Sequence, residues 1–130
     1  MPELLSTLDD RVVVHGDLQA TNLLAGRDGT WVIDFELISL APRWWDLAKL
    51  AMFGERFDDG GWWAQALPEL LEAYGYVDTR ALRNWTTYAL IATTAGCVAK
   101  RDARPELGEE AHSRLRWWAG DPDAPTWRFL

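Results

Sequence analysis

The apolar positions of this chain change period along its length. Arg11 to Val14 is a short β-branched run that stops at His15, which predicts a strand. Asn22 to Ala25 and Thr30 to Ile33 are two more strand candidates. Arg27-Asp28-Gly29 between them carries the Asp-Gly signal of a tight hairpin, and Gly16 to Thr21 reads as the loop that precedes it. From Trp44 the period lengthens: Trp44, Leu47, Leu50 and Ala51 recur at helical spacing, with Pro42 just upstream as a start signal. Gly60-Gly61 breaks that region, and Pro68 to Tyr74 reads as a second helix closed by Gly75. Asp78 or Thr79 would cap a long helix from about Arg80 to Arg101, with Leu82, Trp85, Ala89, Ala92 and Gly96 along one side. Glu106 to Ala119 reads as the last helix, ended by Gly120 and Asp121-Pro122. Leu4, Leu5 and Leu8 look like the end of a helix or an entry segment. The pattern predicts an α+β domain, mostly helical. Residues 1–10 lead in, 11–36 form a strand, loop and hairpin, 43–120 form a helical subdomain and 121–130 a tail.

Composition narrows the function classes. A chain of 130 residues with 48% hydrophobic positions is one domain or part of one, and can bury a core. A net charge of -7 argues against a nucleic-acid partner and would suit a cationic ligand. The single cysteine, Cys97, excludes a disulfide framework and sits in an apolar run as a buried thiol. The nine tryptophans read mainly as core and interface, with one or two left for a substrate pocket. The longest uncharged run, Asn84 to Ala99, is short of the roughly 20 residues that span a bilayer and carries four Thr and an Asn. With no basic, apolar leader at Met1, the reading is a cytoplasmic protein with no membrane partner.

The chemistry concentrates in His15-Gly16-Asp17-Leu18-Gln19-Ala20-Thr21-Asn22, followed by Val32-Ile33-Asp34-Phe35-Glu36. If the hairpin forms, Asn22 opens one arm and Asp34 closes the other. Both then lie at one end, beside the loop that carries Asp17. A carboxylate and an amide oxygen suit a hard cation such as magnesium. The spacing is that of the H-R-D-x-x-x-x-N and D-F-G motifs of protein kinases, with Gly16 at the arginine position. It resembles more closely the H-G-D-x-x-x-x-N and I-D-[FW] pair of the aminoglycoside phosphotransferase and choline kinase family. The match is at motif level from about Arg11 to Met52.

The resemblance implies the C-terminal lobe of a protein-kinase-like fold and an ATP-dependent phosphotransferase acting on a small-molecule hydroxyl. It implies that Asp17 is the catalytic residue, orienting the acceptor hydroxyl and taking its proton. Asn22 and Asp34 would hold Mg2+ and, through it, ATP or another nucleoside triphosphate. His15 would be structural, bonding backbone near the metal-binding aspartate. Asp46, in Trp45-Asp46-Leu47-Ala48, would brace the catalytic loop from a helix, or else serve as an ordinary capping or solvent-facing carboxylate.

Gly16 removes the arginine that would pair with an activation-loop phosphate. Only seven residues separate Asp34 from Pro42, too few for a peptide-binding activation segment. Both point to a small acceptor walled by the later helices. Glu106, Glu109, Glu110, Trp117 and Trp118 are available there, although a solvated acidic face and core aromatics describe them as well. Gln19 stands where many relatives have His, and Glu36 where protein kinases have Gly.

Such a kinase also needs an N-terminal lobe with a strand-rich roof, a phosphate-covering loop and a lysine for the α- and β-phosphates. Ten residues precede the first motif strand. The two lysines, Lys49 and Lys100, both follow the motif in helices. The expectation is therefore a catalytic lobe that lacks its roof. It would be a truncated form or half of a split enzyme, inactive alone, and would recruit a separate N-lobe chain or self-associate. A non-catalytic remnant or binding module is the second reading. A magnesium- or calcium-dependent hydrolase is a third.

Overall fold

The computed structural model describes residues 11–57, 62–75 and 77–128. The helix end or entry segment expected at Leu4 to Leu8 and the break at Gly60-Gly61 lie outside the described residues. What is described is an α+β fold, with four helices following four short strands.

Strand β1 (Arg11–Val14) pairs antiparallel with β4 (Ser39–Pro42), so that Val13 faces Leu40 and Val14 faces Ser39. Between them in sequence, β2 (Leu23–Gly26) and β3 (Gly29–Val32) form a separate antiparallel ribbon. Its last pair is Gly26 with Gly29, so Arg27 and Asp28 make the turn and Gly29 follows at a positive φ of 133°. The hairpin falls where the Asp-Gly signal places it. β4 carries no such signal. It is short and ends in Pro42, and its partner is far away in sequence.

Apolar side chains remain outside on both ribbons. Val13 and Leu40, directly opposite one another, are 67% and 68% exposed. Leu24 and Trp31 form a second exposed cross-strand pair. Two-stranded ribbons are marginal alone and gain stability when such a face is covered.

Helices α1 (Trp45–Arg56), α2 (Trp62–Tyr74), α3 (Thr79–Lys100) and α4 (Pro105–Trp118) complete the fold. Asp78 caps α3 by accepting hydrogen bonds from the Arg80 and Ala81 N–H groups at 3.0 Å each. Pro105 opens α4 at a position where its missing N–H costs nothing. Gly75 and Gly120, both at positive φ, follow the ends of α2 and α4. Helix α2 starts at Trp62, ahead of the expected Pro68, which lies inside it.

The long α3 is the spine. Its first turns pack Ala81, Leu82 and Trp85 on Trp44, Leu47 and Ala48, with Leu70 and Leu71 of α2 against the same cluster. Its middle packs Ala89 and Leu90 on Met52 and Phe53 of α1. Its end packs Cys97 on Leu107 and Ala111 of α4. The buried stripe thus passes through Leu90, Thr94 and Cys97, and leaves Ala92 exposed. No helix among the described residues is long and apolar enough to cross a membrane.

The segment after α4 is docked. Trp127 is 3% exposed, its N–H donates to the Arg56 carbonyl at 2.7 Å, and its ring meets Phe57 and Trp117 edge-on. The Arg114 guanidinium lies 4.7 Å from the Trp127 ring centre. Arg114 is itself held by Glu110, which is 1% exposed. Glu110 therefore belongs neither to a solvated face nor to a substrate wall: it accepts from Arg114 Nε at 2.8 Å and from the Arg128 N–H at 2.9 Å. Trp127→Ala should destabilise the protein by about 3–5 kcal/mol. Urea denaturation checks this, and a loss under about 1 kcal/mol would mean that the docked segment is not part of the cooperative fold.

Candidate functional site

The loop after β1 is held from two sides. From α1, the Asp46 carboxylate accepts the His15 N–H at 2.8 Å and the Gly16 N–H at 3.1 Å, while the Trp45 indole N–H donates to the Gly16 carbonyl at 3.0 Å. From the hairpin side, the His15 ring meets the Ile33 carbonyl through Nε2 at 2.8 Å and packs on Phe35. His15 Nδ1 accepts the Asp17 N–H at 3.3 Å, which makes Nε2 the donor toward Ile33. His15 thus links the loop to the residue just before Asp34.

Gly16 is required by geometry. Its φ is +87°, and a Cβ there would lie 2.2 Å from the Leu37 carbonyl oxygen. No side chain fits, which is why this loop has no arginine before the aspartate.

Both carboxylate oxygens of Asp17 are engaged. Lys49 Nζ donates to Oδ1 at 2.6 Å, and Gln19 Nε2 donates to Oδ2 at 2.9 Å. Each oxygen keeps a second lone pair. The short contact Gln19 supplies fixes the carboxylate plane, and Lys49 reaches it from α1. Sequence reasoning passed over Lys49. Its signal was nonetheless present: Lys49 follows Asp46 by three residues, so the two share a helix face.

Asn22 closes a short helical turn over Ala20–Asn22, and is 6% exposed. Its Nδ2 donates to the Asp17 carbonyl at 2.9 Å, leaving Oδ1 without a partner among the described residues. The Ile33 N–H donates to the Asn22 carbonyl at 3.0 Å, so the hairpin returns the chain to the level of Asn22 one residue before Asp34. Strand alternation alone would turn Asp34 to the opposite face from Asn22. Asp34, however, has φ 66° and ψ 62°, the one left-handed residue other than glycine among those described, and the alternation ends there. Its carboxylate makes no capping bond to the turn that follows. A left-handed aspartate costs about 1–3 kcal/mol and persists where its surroundings impose it, commonly at functional sites.

The structure therefore ties His15, Asp17, Asn22 and Asp46 into one hydrogen-bonded network, and reaches Asp34 through the backbone of Ile33. No cluster of three or more His, Cys, Asp or Glu side chains suited to a metal is found among the described residues. Two oxygen donors fit a magnesium ion that takes its remaining ligands from phosphates and water.

Asp17 and Gln19 line a cavity of about 260 Å³ that runs between α1, α3 and α4. Its rim is charged. Arg104 binds Glu106 at 2.8 Å, and Glu106's own backbone N–H, followed by Arg104, holds that carboxyl below the ordinary range. Glu110, followed by Glu109, holds the Arg128 guanidinium above its usual value.

A family model described as a phosphotransferase enzyme family matches residues 1–91, more than half of the chain. The chain belongs to this family, that of the aminoglycoside phosphotransferases. No curated protein matches the chain, and no solved structure does.

Gly16→Ala and Gly120→Ala separate two costs. Both place Ala at positive φ, worth about 1–2 kcal/mol, but a Cβ at Gly120 meets nothing within 4 Å. Thermal denaturation should show a clearly larger loss for Gly16→Ala. Equal losses would show that the Leu37 backbone yields freely and that the loop is not tightly seated.

Proposed function

We propose that this chain is the catalytic lobe of an ATP-dependent small-molecule O-phosphotransferase, built like the C-terminal lobe of a protein kinase and working in the cytoplasm. The observation that carries the reading is the placement of Asp17. Its carboxylate is oriented by Gln19 and Lys49 and lines a cavity, and its backbone carbonyl is bonded to Asn22.

In this reading the acceptor enters the cavity and gives its hydroxyl proton to Asp17. The hydroxyl oxygen attacks the γ-phosphorus of the nucleoside triphosphate, the bond from that phosphorus to the β-phosphate oxygen breaks, and the nucleoside diphosphate leaves. Asn22 Oδ1 and the Asp34 carboxylate would hold Mg2+, whose contribution is to neutralise phosphate charge. Asp46 and His15 keep the loop in place and move no proton. Lys49, bonded to Asp17 Oδ1, is a positioning group. Nucleic acid and membranes have no part in the reading.

The exposed Val13–Leu40 and Leu24–Trp31 pairs lie on the ribbons that lead to His15 and Asp34. That apolar face is where a nucleotide-covering lobe from a separate chain would rest. Uncovered, it drives self-association. Light scattering of the purified chain should fall with Val13→Thr/Leu40→Thr; unchanged scattering would remove this surface from consideration.

In a complete enzyme carrying this lobe, Asp17→Asn should lower kcat by about 10²–10⁴-fold with metal-nucleotide binding retained. Asp34→Ala should abolish metal-nucleotide binding itself. Nucleotide titration alongside kinetics decides the matter, and equal loss of nucleotide binding in both variants contradicts the assignment.

A further inference from the structure

We infer that the acceptor is a small hydroxyl compound bearing an anionic group, a phosphate or a carboxylate, and not an amine; this rests on Asp17 acting on the acceptor in the cavity. The net charge of -7 points the other way at first sight. The cavity lining reverses it. Asp17 is the one acid among its described lining residues, against Lys49, Lys100, Arg104, Arg114 and Arg128. Asp17 is already matched by Lys49 at 2.6 Å. An ammonium group entering here finds no unmatched carboxylate and meets several cations. A further positive charge brought among them is repelled, and more strongly where water is excluded.

The basic groups differ in what they have left to give. Arg114 is bound to the buried Glu110, and Arg128 to Glu110 and Glu109, so these two are wall. Lys100, in the last turn of α3, has no carboxylate partner among the described residues. Arg104 spends only Nε on Glu106, which leaves the two Nη groups of its guanidinium for an incoming oxyanion. Helix α4 begins beside them at Pro105, and its N-terminal end adds positive potential. Asp17 for a hydroxyl and Lys100 with Arg104 for an anion line one and the same cavity. The size agrees: about 260 Å³ is below the roughly 300–1,000 Å³ of pockets for drug-sized ligands, too small for an oligosaccharide. Gly96 also lines this space, and a Cβ there would meet nothing within 4 Å.

The test is calorimetric titration of the purified chain with glycerate, glycerol 3-phosphate, choline and glucosamine. The two anions should bind, and Lys100→Gln/Arg104→Gln should weaken them by at least about tenfold, or 1.4 kcal/mol. Gly96→Val, which changes no charge, should block them by filling the cavity. Circular dichroism establishes that the variants are folded. Preferential binding of choline or glucosamine, anion binding indifferent to the double variant, or no binding by any of the four overturns the inference. ATP consumption assayed separately keeps it apart from the kinase reading. Anions that bind through Lys100 and Arg104 but are not phosphorylated even when a nucleotide-covering lobe is supplied leave the anion site standing and count against the kinase. Phosphorylation of an amine with anions ignored does the reverse.

Discussion

The Asp46 carboxylate, reaching from the first turn of α1 to the His15 and Gly16 N–H groups, is the contact on which the rest of the site depends. Two backbone donors of this loop would otherwise face a partly buried setting without partners, at about 1–3 kcal/mol each. By accepting both, Asp46 makes the position of the loop a property of the helical core. Trp45 and Lys49, on the same helix, add contacts to Gly16 and Asp17. One helix thus sets the loop backbone and the Asp17 carboxylate together. Trp44 and Leu47 bury that helix against α3, so core packing and site geometry are continuous.

The other half of the site hangs on the hairpin. The turn at Arg27-Asp28 brings Ile33 back to Asn22, and His15 clamps the Ile33 carbonyl. Asp34 then leaves the strand in a left-handed conformation with its carboxylate uncommitted to the following turn. Among the described residues, the Asn22 Oδ1 and Asp34 carboxylate oxygens meet no donor, while both oxygens of Asp17 are engaged. That difference suits one carboxylate aligned to a substrate and two oxygens left for a cation.

How much of this was legible in the sequence depends on range. β1, the hairpin, the Asp78 cap and the Gly75 and Gly120 stops follow from local chemistry and appear as read. The long helix is displaced by only a residue at each end. β4 was not legible, because four residues ending in proline carry no strand signal and its pairing with β1 closes across the whole hairpin. The true start of α2 was hidden by Pro68, which reads as a first-turn residue and is internal. Glu109-Glu110 reads as a solvated pair, yet Glu110 is sealed by Arg114 and Arg128, partners from the same helix and from the docked segment. At the site, motif spacing and resemblance single out His15, Asp17, Asn22, Asp34 and Asp46 in the sequence, and the hydrogen bonds that join His15, Asp17, Asn22 and Asp46 are seen in the structure. The Lys49 contact to Asp17, 32 positions away, was not legible beyond the helix face that Lys49 shares with Asp46. Nor was the basic cavity, since a chain-wide excess of acid says nothing about which sign faces inward.

The central claim is that Asn22 and Asp34 hold the nucleotide's metal beside Asp17. Manganese, a paramagnetic ion with magnesium's preference for oxygen, reads the site directly. In a labelled sample with ATP and substoichiometric Mn2+, the Asn22 side-chain amide and the Asp34 backbone N–H should broaden first, then Asp17. The Arg80 and Ala81 amides at the far start of α3 should stay sharp. Broadening centred on Glu106 to Glu110, or spread evenly over the acidic surface with Asn22 and Asp34 unaffected, would contradict the account.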